Sequence, residues 1–125
     1  MRILIVEDSS LVQQMYGLAF SRREHELTTA SDGRAALAQL ADPARRFDVI
    51  LLDLRMPGMN GVEFLREVRR DARLARLPIV LTTMEPEGSE LLTEARRPGV
   101  TAVVKKPWHP QQLRDLVEAI VHRGE

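Results

Sequence analysis

The run Val49-Ile50-Leu51-Leu52 constrains the fold more than any other feature of the chain. It has no polar alternation, so it reads as a strand covered on both faces, as in a parallel α/β sheet. It stops abruptly at a carboxylate, Asp53. Pro57-Gly58 and Asn60-Gly61 then mark loop and turn. Open parallel sheets place their ligand sites at the carboxyl ends of central strands, which is where Asp53 falls. A strand-end Asp also has a purely local use, because turns favour it for backbone hydrogen bonding. The remaining strands decide between the two.

Similar runs recur. Ile3-Leu4-Ile5-Val6 ends at Glu7-Asp8, Pro78 opens Ile79-Val80-Leu81-Thr82-Thr83, and Thr101-Ala102-Val103-Val104 stops at Lys105-Lys106-Pro107. Glu26 to Ala30 is a weaker strand, punctuated by Ser31-Asp32-Gly33. Between the strands lie helical patterns. Ser9 and Ser10 are good caps for a helix whose Leu11, Met15, Leu18 and Ala19 share a face. Ala35 to Ala41 forms a second helix, ending near Pro43. Val62, Phe64, Leu65 and Val68 mark a third, Leu91, Leu92 and Ala95 a fourth, and Leu113, Leu116, Val117 and Ile120 a fifth. Five strand-then-helix units predict a parallel sheet with helices on both faces. Right-handed crossovers leave few topologies.

Composition excludes several classes. A chain of 125 residues is expected to be one domain, 1–125, with no output domain attached. Its net charge of zero gives no bulk attraction to nucleic acid or membrane. Without cysteine there is no disulfide, thiol catalysis or cysteine metal site. The apolar start, Ile3 to Val6, is too short for a signal peptide or a membrane span, so a cytoplasmic location is expected. Arginine supplies all the basic residues except the adjacent pair Lys105-Lys106. His25, His109 and His122 are dispersed and read as surface residues, and the doublets Arg22-Arg23, Arg45-Arg46, Arg69-Arg70 and Arg96-Arg97 read as solvated helix ends.

In a parallel sheet the strand ends Glu7, Asp8, Asp53, Thr82-Thr83 and Lys106 share one edge. Clustered carboxylates repel and call for a cation, and hard oxygen donors suit Mg²⁺. A hydroxyl and an ammonium beside them make a site for a phosphoryl group, with a carboxylate as nucleophile. Taken singly, each residue has a plain structural use: the acids at a helix start, the threonine in a strand, the lysine on the surface. Their joint placement at strand ends favours the site.

On these motifs the chain resembles the receiver domain of bacterial two-component response regulators, in its stand-alone chemotaxis form, over essentially its whole length. The resemblance implies a flavodoxin-like, doubly wound α/β fold with strand order 2-1-3-4-5 and five helices. It implies that Asp53 is the phosphoacceptor and that Glu7, Asp8 and Asp53 bind Mg²⁺ with the backbone carbonyl of Arg55. Thr83, the fifth residue after Pro78, matches the switch hydroxyl in preference to Thr82, and Lys106 matches the phosphate-contacting lysine. The implied partners are a sensor histidine kinase or phosphotransfer protein and a target protein at the helix 4–strand 5–helix 5 face. The implied role is a signalling acceptor and not an enzyme.

The chain departs from the family pattern in three places. Val103 stands where an aromatic commonly couples to the switch threonine. Met84 replaces the usual small residue after Thr83. Pro98-Gly99-Val100 replaces the usual small-residue turn, and the stretch between Thr83 and Gly99 is one residue longer than in the chemotaxis type. Val103 and Trp108 are the expected output-surface residues. Arg55 and Glu85, two residues after Asp53 and Thr83, occupy positions that influence phosphoryl hydrolysis, and their opposite charges predict a pair across the mouth of the site. Two rival classes are an aspartyl-nucleophile phosphatase and a binding-only pseudo-receiver. The first wants a second acid where Arg55 stands, and the second is disfavoured by intact Asp53, Thr83 and Lys106.

Overall fold

The computed structural model describes residues 1–56 and 58–123; Pro57, read above as part of a loop, and residues 124–125 lie outside the described residues. Five strands alternate with five helices: β1 (Arg2–Val6), α1 (Ser10–Ala19), β2 (Glu26–Ala30), α2 (Gly33–Ala41), β3 (Val49–Asp53), α3 (Gly61–Arg70), β4 (Ile79–Thr83), α4 (Glu90–Arg96), β5 (Ala102–Lys105) and α5 (Pro110–Arg123). The strands form one parallel sheet in the order β2-β1-β3-β4-β5. A short 3₁₀ turn, Ala72–Leu74, precedes β4 and has no clear signal in the sequence.

Strand alternation divides the core in two. Leu4, Val6, Ile50, Leu52, Ile79 and Leu81 pack with α2, α3 and α4. Ile3, Ile5, Val49, Leu51 and Val80 pack with α1 and α5. All these strand residues are buried, which accounts for runs without polar alternation. Side-chain caps start the first four helices: Ser9, Asp32, Asn60 and Ser89 each accept a hydrogen bond from a backbone N–H of the first turn.

The inward face of α1 differs from the expected one. Leu11 and Leu18 are 67% and 77% exposed. Ala19 is buried as expected and Met15 packs partly buried against the core, but Val12 and Tyr16 take the place of Leu11 and Leu18, so that Val12, Tyr16 and Ala19 form one helical stripe at i, i+4, i+7. The assignment failed because both stripes of this helix carry apolar residues. Two further residues are not on the surface. His25 tucks its ring edge-on against Phe20, with centroids 5.8 Å apart, and places Nδ1 3.2 Å from the Met1 amine. Arg69 is half-buried rather than solvated. Its guanidinium donates to the carbonyls of Leu74, Leu77 and Gly99 at 2.9, 2.9 and 3.0 Å, with a longer contact to Ala75. No helix among the described residues is long and apolar enough to cross a membrane.

Candidate functional site

The site is built where β1, β3, β4 and β5 end together. β1 delivers Glu7 and Asp8, β3 delivers Asp53, β4 delivers Thr83 and β5 delivers Lys106, one residue past its end. Carboxylate oxygens of Glu7, Asp8 and Asp53 lie within 4.8 Å of one another. Lys106 Nζ donates to Glu7 Oε1 at 2.8 Å and lies 3.5 Å from Asp53 Oδ1. The Ser9 N–H donates to Glu7 Oε2 at 3.1 Å, and the Arg55 N–H reaches Asp53 Oδ1 at 3.4 Å. Gln13 holds the corner from below by donating Nε2–H to the Glu7 carbonyl at 2.6 Å.

Glu7 is 2% exposed. Burial pushes its carboxyl above the usual range, and the Asp53 charge adds to this; the bonds from Lys106 and the Ser9 N–H pull it back only in part. Three ionised carboxylates against one ammonium leave a net charge of −2, which matches a divalent cation. The all-oxygen donor set selects a hard one. The residues present therefore fit a metal of the Mg²⁺ type.

Glu7, Asp8, Asp53, Arg55, Thr83, Glu85 and Lys106 converge, while Val103 and Trp108 lie in the two cores. Thr83 is buried and its Oγ1 accepts from the Glu85 N–H at 3.0 Å, so the hydroxyl faces the loop after β4. Arg55 Nη2 donates to Glu85 Oε1, and Lys105 Nζ donates to the Glu85 carbonyl, fixing that loop over the mouth. Met84 is exposed. Trp108, expected on an output surface, is buried against α1 and α5 because its indole stacks on Tyr16. Val103 is half-buried against the other core, on the α4 side.

Glu7, Asp8, Asp53, Arg55, Thr83, Glu85 and Lys106 line one cavity of about 500 Å³. A larger cavity of about 630 Å³ sits at the opposite edge, beside Arg46, Phe47, Arg76 and Leu77, and shares no residue with the acid cluster. The smaller one is where the charges and the hydroxyl converge. Sequence reasoning missed Tyr16 and Gln13, both on α1. A usable signal was present: Tyr16 and Trp108 are the only tyrosine and tryptophan in the chain.

Comparison with known proteins identifies the family and agrees with the fold. The family model described as "Response regulator receiver domain" matches residues 3–118. The chemotaxis protein CheY of Pseudomonas aeruginosa is 36% identical over 128 residues, covering 98% of each chain. The structure of Vibrio cholerae chemotaxis protein CheY4 superposes with a TM-score of 0.85 at 34% identity, covering 95% of this chain and 97% of that one. The Mn²⁺-bound form of the response regulator Rcp1 superposes with a TM-score of 0.76 at 29% identity, covering 95% and 90%.

Proposed function

The chain belongs to the response regulator receiver domain family, and on that premise we propose that it accepts a phosphoryl group on Asp53 from a phosphohistidine of a sensor histidine kinase or phosphotransfer protein, in a Mg²⁺-dependent step. The observation that carries this reading is the three-carboxylate cluster held by Lys106 at the carboxyl end of the central strand. A receiver is a signalling protein, so the reaction ends on the protein itself.

In the proposed step an Asp53 carboxylate oxygen attacks phosphorus. The P–O bond forms as the P–N bond to the donor imidazole breaks, and the imidazole nitrogen retains the electron pair. Glu7, Asp8, Asp53 and the Arg55 carbonyl would hold Mg²⁺, which neutralises the incoming phosphoryl oxygens. Lys106, already 3.5 Å from Asp53 Oδ1, has only to exchange its carboxylate partner for a phosphoryl oxygen. Thr83 would turn its hydroxyl from the loop toward the phosphoryl group, giving up the Glu85 N–H. The released loop alters the α4–β5–α5 face, where a downstream protein in the cytoplasm would read the change. Nucleic acid and membrane are not expected partners.

Incubation with acetyl phosphate, followed by intact mass measurement, tests this. Wild type is expected to gain one phosphoryl group with Mg²⁺ and none without it, and Asp53→Asn none in either case. Equal labelling of Asp53→Asn would assign the acceptor elsewhere. Failure of wild type to label would favour a binding-only domain.

A further inference from the structure

Alternation along the strands sorts the site as well as the core. One step beyond Ile5, Leu51 and Val80, the same parity sets Glu7, Asp53 and Thr82 toward α1 and α5, and Thr83 toward the opposite face. Asp53 and Thr82 are register partners on adjacent strands, so Thr82 is the cross-strand neighbour of the acceptor. The Thr82 and Tyr16 hydroxyls are hydrogen-bonded at 2.8 Å, and both residues are buried. The Tyr16 ring stacks on Trp108, with centroids 4.8 Å apart and planes inclined by 28°. Trp108 follows Lys106 by two residues, and Lys106 binds Glu7 and Asp53. Contacts and chain connection together therefore form a closed path: Asp53 to Lys106 by charge, Lys106 to Trp108 along the chain, Trp108 to Tyr16 by stacking, Tyr16 to Thr82 by hydrogen bond, and Thr82 to its register partner Asp53. Burial raises the Tyr16 phenol well above its ordinary range, and the charges of Glu7 and Asp53 push it further. The phenol therefore stays protonated and within electrostatic reach of the acids.

From this geometry we infer that Tyr16 is a positioning residue that couples loading of Asp53 to the packing of α1 against α5. The inference rests on the receiver reading and names a path that reading does not contain. On the α4 side the half-buried Val103 offers no ring to follow a turning Thr83. On the α1 side a ring and a hydroxyl are both in place. When Lys106 moves onto a phosphoryl oxygen, the two-residue connection carries Trp108 with it. The stacked Tyr16 then adjusts, and its bond to Thr82 holds or breaks as a discrete event, because a close-packed interior does not deform continuously. α1 and α5, which carry the rings' packing partners, are where the change emerges.

The test uses beryllofluoride with Mg²⁺ as the phosphoryl mimic on wild type, Tyr16→Phe and Thr82→Val. Tyr16→Phe keeps the ring and removes only the hydroxyl, and Thr82→Val keeps the strand residue's shape. Bound fluoride is followed by ¹⁹F NMR, and amide exchange is followed across α1, α4 and α5. In wild type, exchange in α1 and α5 is expected to change by about fivefold or more, the lower end of ordinary intersite coupling, together with a change in Trp108 emission. Both variants are expected to bind the mimic with altered affinity, since coupling is reciprocal, and to lose the α1 response. Bound fluoride in wild type without a response in α1 and α5 would overturn the coupling and leave the receiver reading intact. An unchanged response in both variants would overturn it too. No bound fluoride in wild type would overturn the receiver reading and the coupling with it.

Discussion

Arg55 and Glu85 pair across the mouth of the acid cluster, Arg55 Nη2 donating to Glu85 Oε1. Glu85 is the held partner: its side chain is 12% exposed against 76% for Arg55, its N–H is bonded to Thr83 and its carbonyl accepts from Lys105. The pair therefore lies over the approach to Asp53. Exposed ion pairs contribute ~0–1 kcal/mol to stability, so its expected effect is on the rate at which water reaches a phosphoryl group. Arg55→Ala and Glu85→Ala should each lose phosphate faster than wild type by up to about tenfold, equivalent to ~1.4 kcal/mol of barrier. The double mutant should be no faster than the faster single mutant. Time courses of dephosphorylation check this, and unchanged single-mutant rates would make the two residues mere surface charges.

Glu7 predicts a linked effect of pH and metal. Its carboxyl is raised in the folded state, chiefly by burial. A raised acid contributes stability that is present below its unfolded-state titration and is lost as pH rises through the folded-state value. Without metal, the Glu7→Gln variant should therefore melt higher than wild type at neutral pH, and the difference should shrink toward acid. Mg²⁺ should reverse the order by stabilising wild type alone, by about 2.7 kcal/mol at a hundred times its dissociation constant. Melting curves at acid and neutral pH, with and without Mg²⁺, check both signs. A metal-free Glu7→Gln variant that melts below wild type at neutral pH would show that the Lys106 bond outweighs the burial cost.

Arg69 joins the end of α3 to the segments before β4 and β5 through carbonyls of Leu74, Leu77 and Gly99. Hydrogen bonds to charged groups contribute ~1.5–3 kcal/mol each, and truncation leaves several carbonyls to find water. Arg69→Ala should destabilise by about 2–3 kcal/mol in urea, while neighbouring Arg70→Ala, whose partner is the exposed Glu67, should change stability by under about 0.5 kcal/mol. Equal effects would refute the distinction.

The strands were legible because burial on both faces removes polar alternation, and their ends were legible because charge appears there abruptly. β2, β3 and β4 fall where the residues place them, and β5 begins one residue later than Thr101. The cluster of Glu7, Asp8, Asp53 and Lys106 followed from the common edge of a parallel sheet. What sequence could not separate was direction around a helix. α1 carries apolar residues on two stripes; Met15 and Ala19 were placed correctly, and only tertiary packing chose Val12 and Tyr16 over Leu11 and Leu18. Trp108 was misplaced for a related reason, since its burial depends on Tyr16. Arg69 was misread because a doublet of arginines looks the same whether its guanidinium meets water or the carbonyls of a distant turn.

Gly61 ties the site loop to the start of α3, and space rather than turn geometry requires the glycine. Its N–H donates to the Leu54 carbonyl at 2.9 Å, which closes the segment after Asp53 onto the helix. A Cβ built there would lie 2.8 Å from the Leu54 Cα, 3.0 Å from Leu54 Cδ2 and 3.1 Å from the Asp53 carbonyl oxygen. The first and third neighbours are backbone atoms, so no rotamer change relieves them. Helix propensity alone would favour alanine by ~1 kcal/mol. Overpacking of this kind costs about 1–3 kcal/mol, so the clash is expected to win. Gly61→Ala should lower stability by about 1–2 kcal/mol and, because the displaced backbone belongs to Asp53 and Leu54, should also slow acetyl phosphate labelling. Gly17→Ala is the control, because a Cβ at this glycine inside α1 meets nothing within 4 Å, so propensity should make it neutral or stabilising with labelling unchanged. A stabilised Gly61→Ala variant that labels normally would mean that the segment after Asp53 yields without disturbing the acceptor.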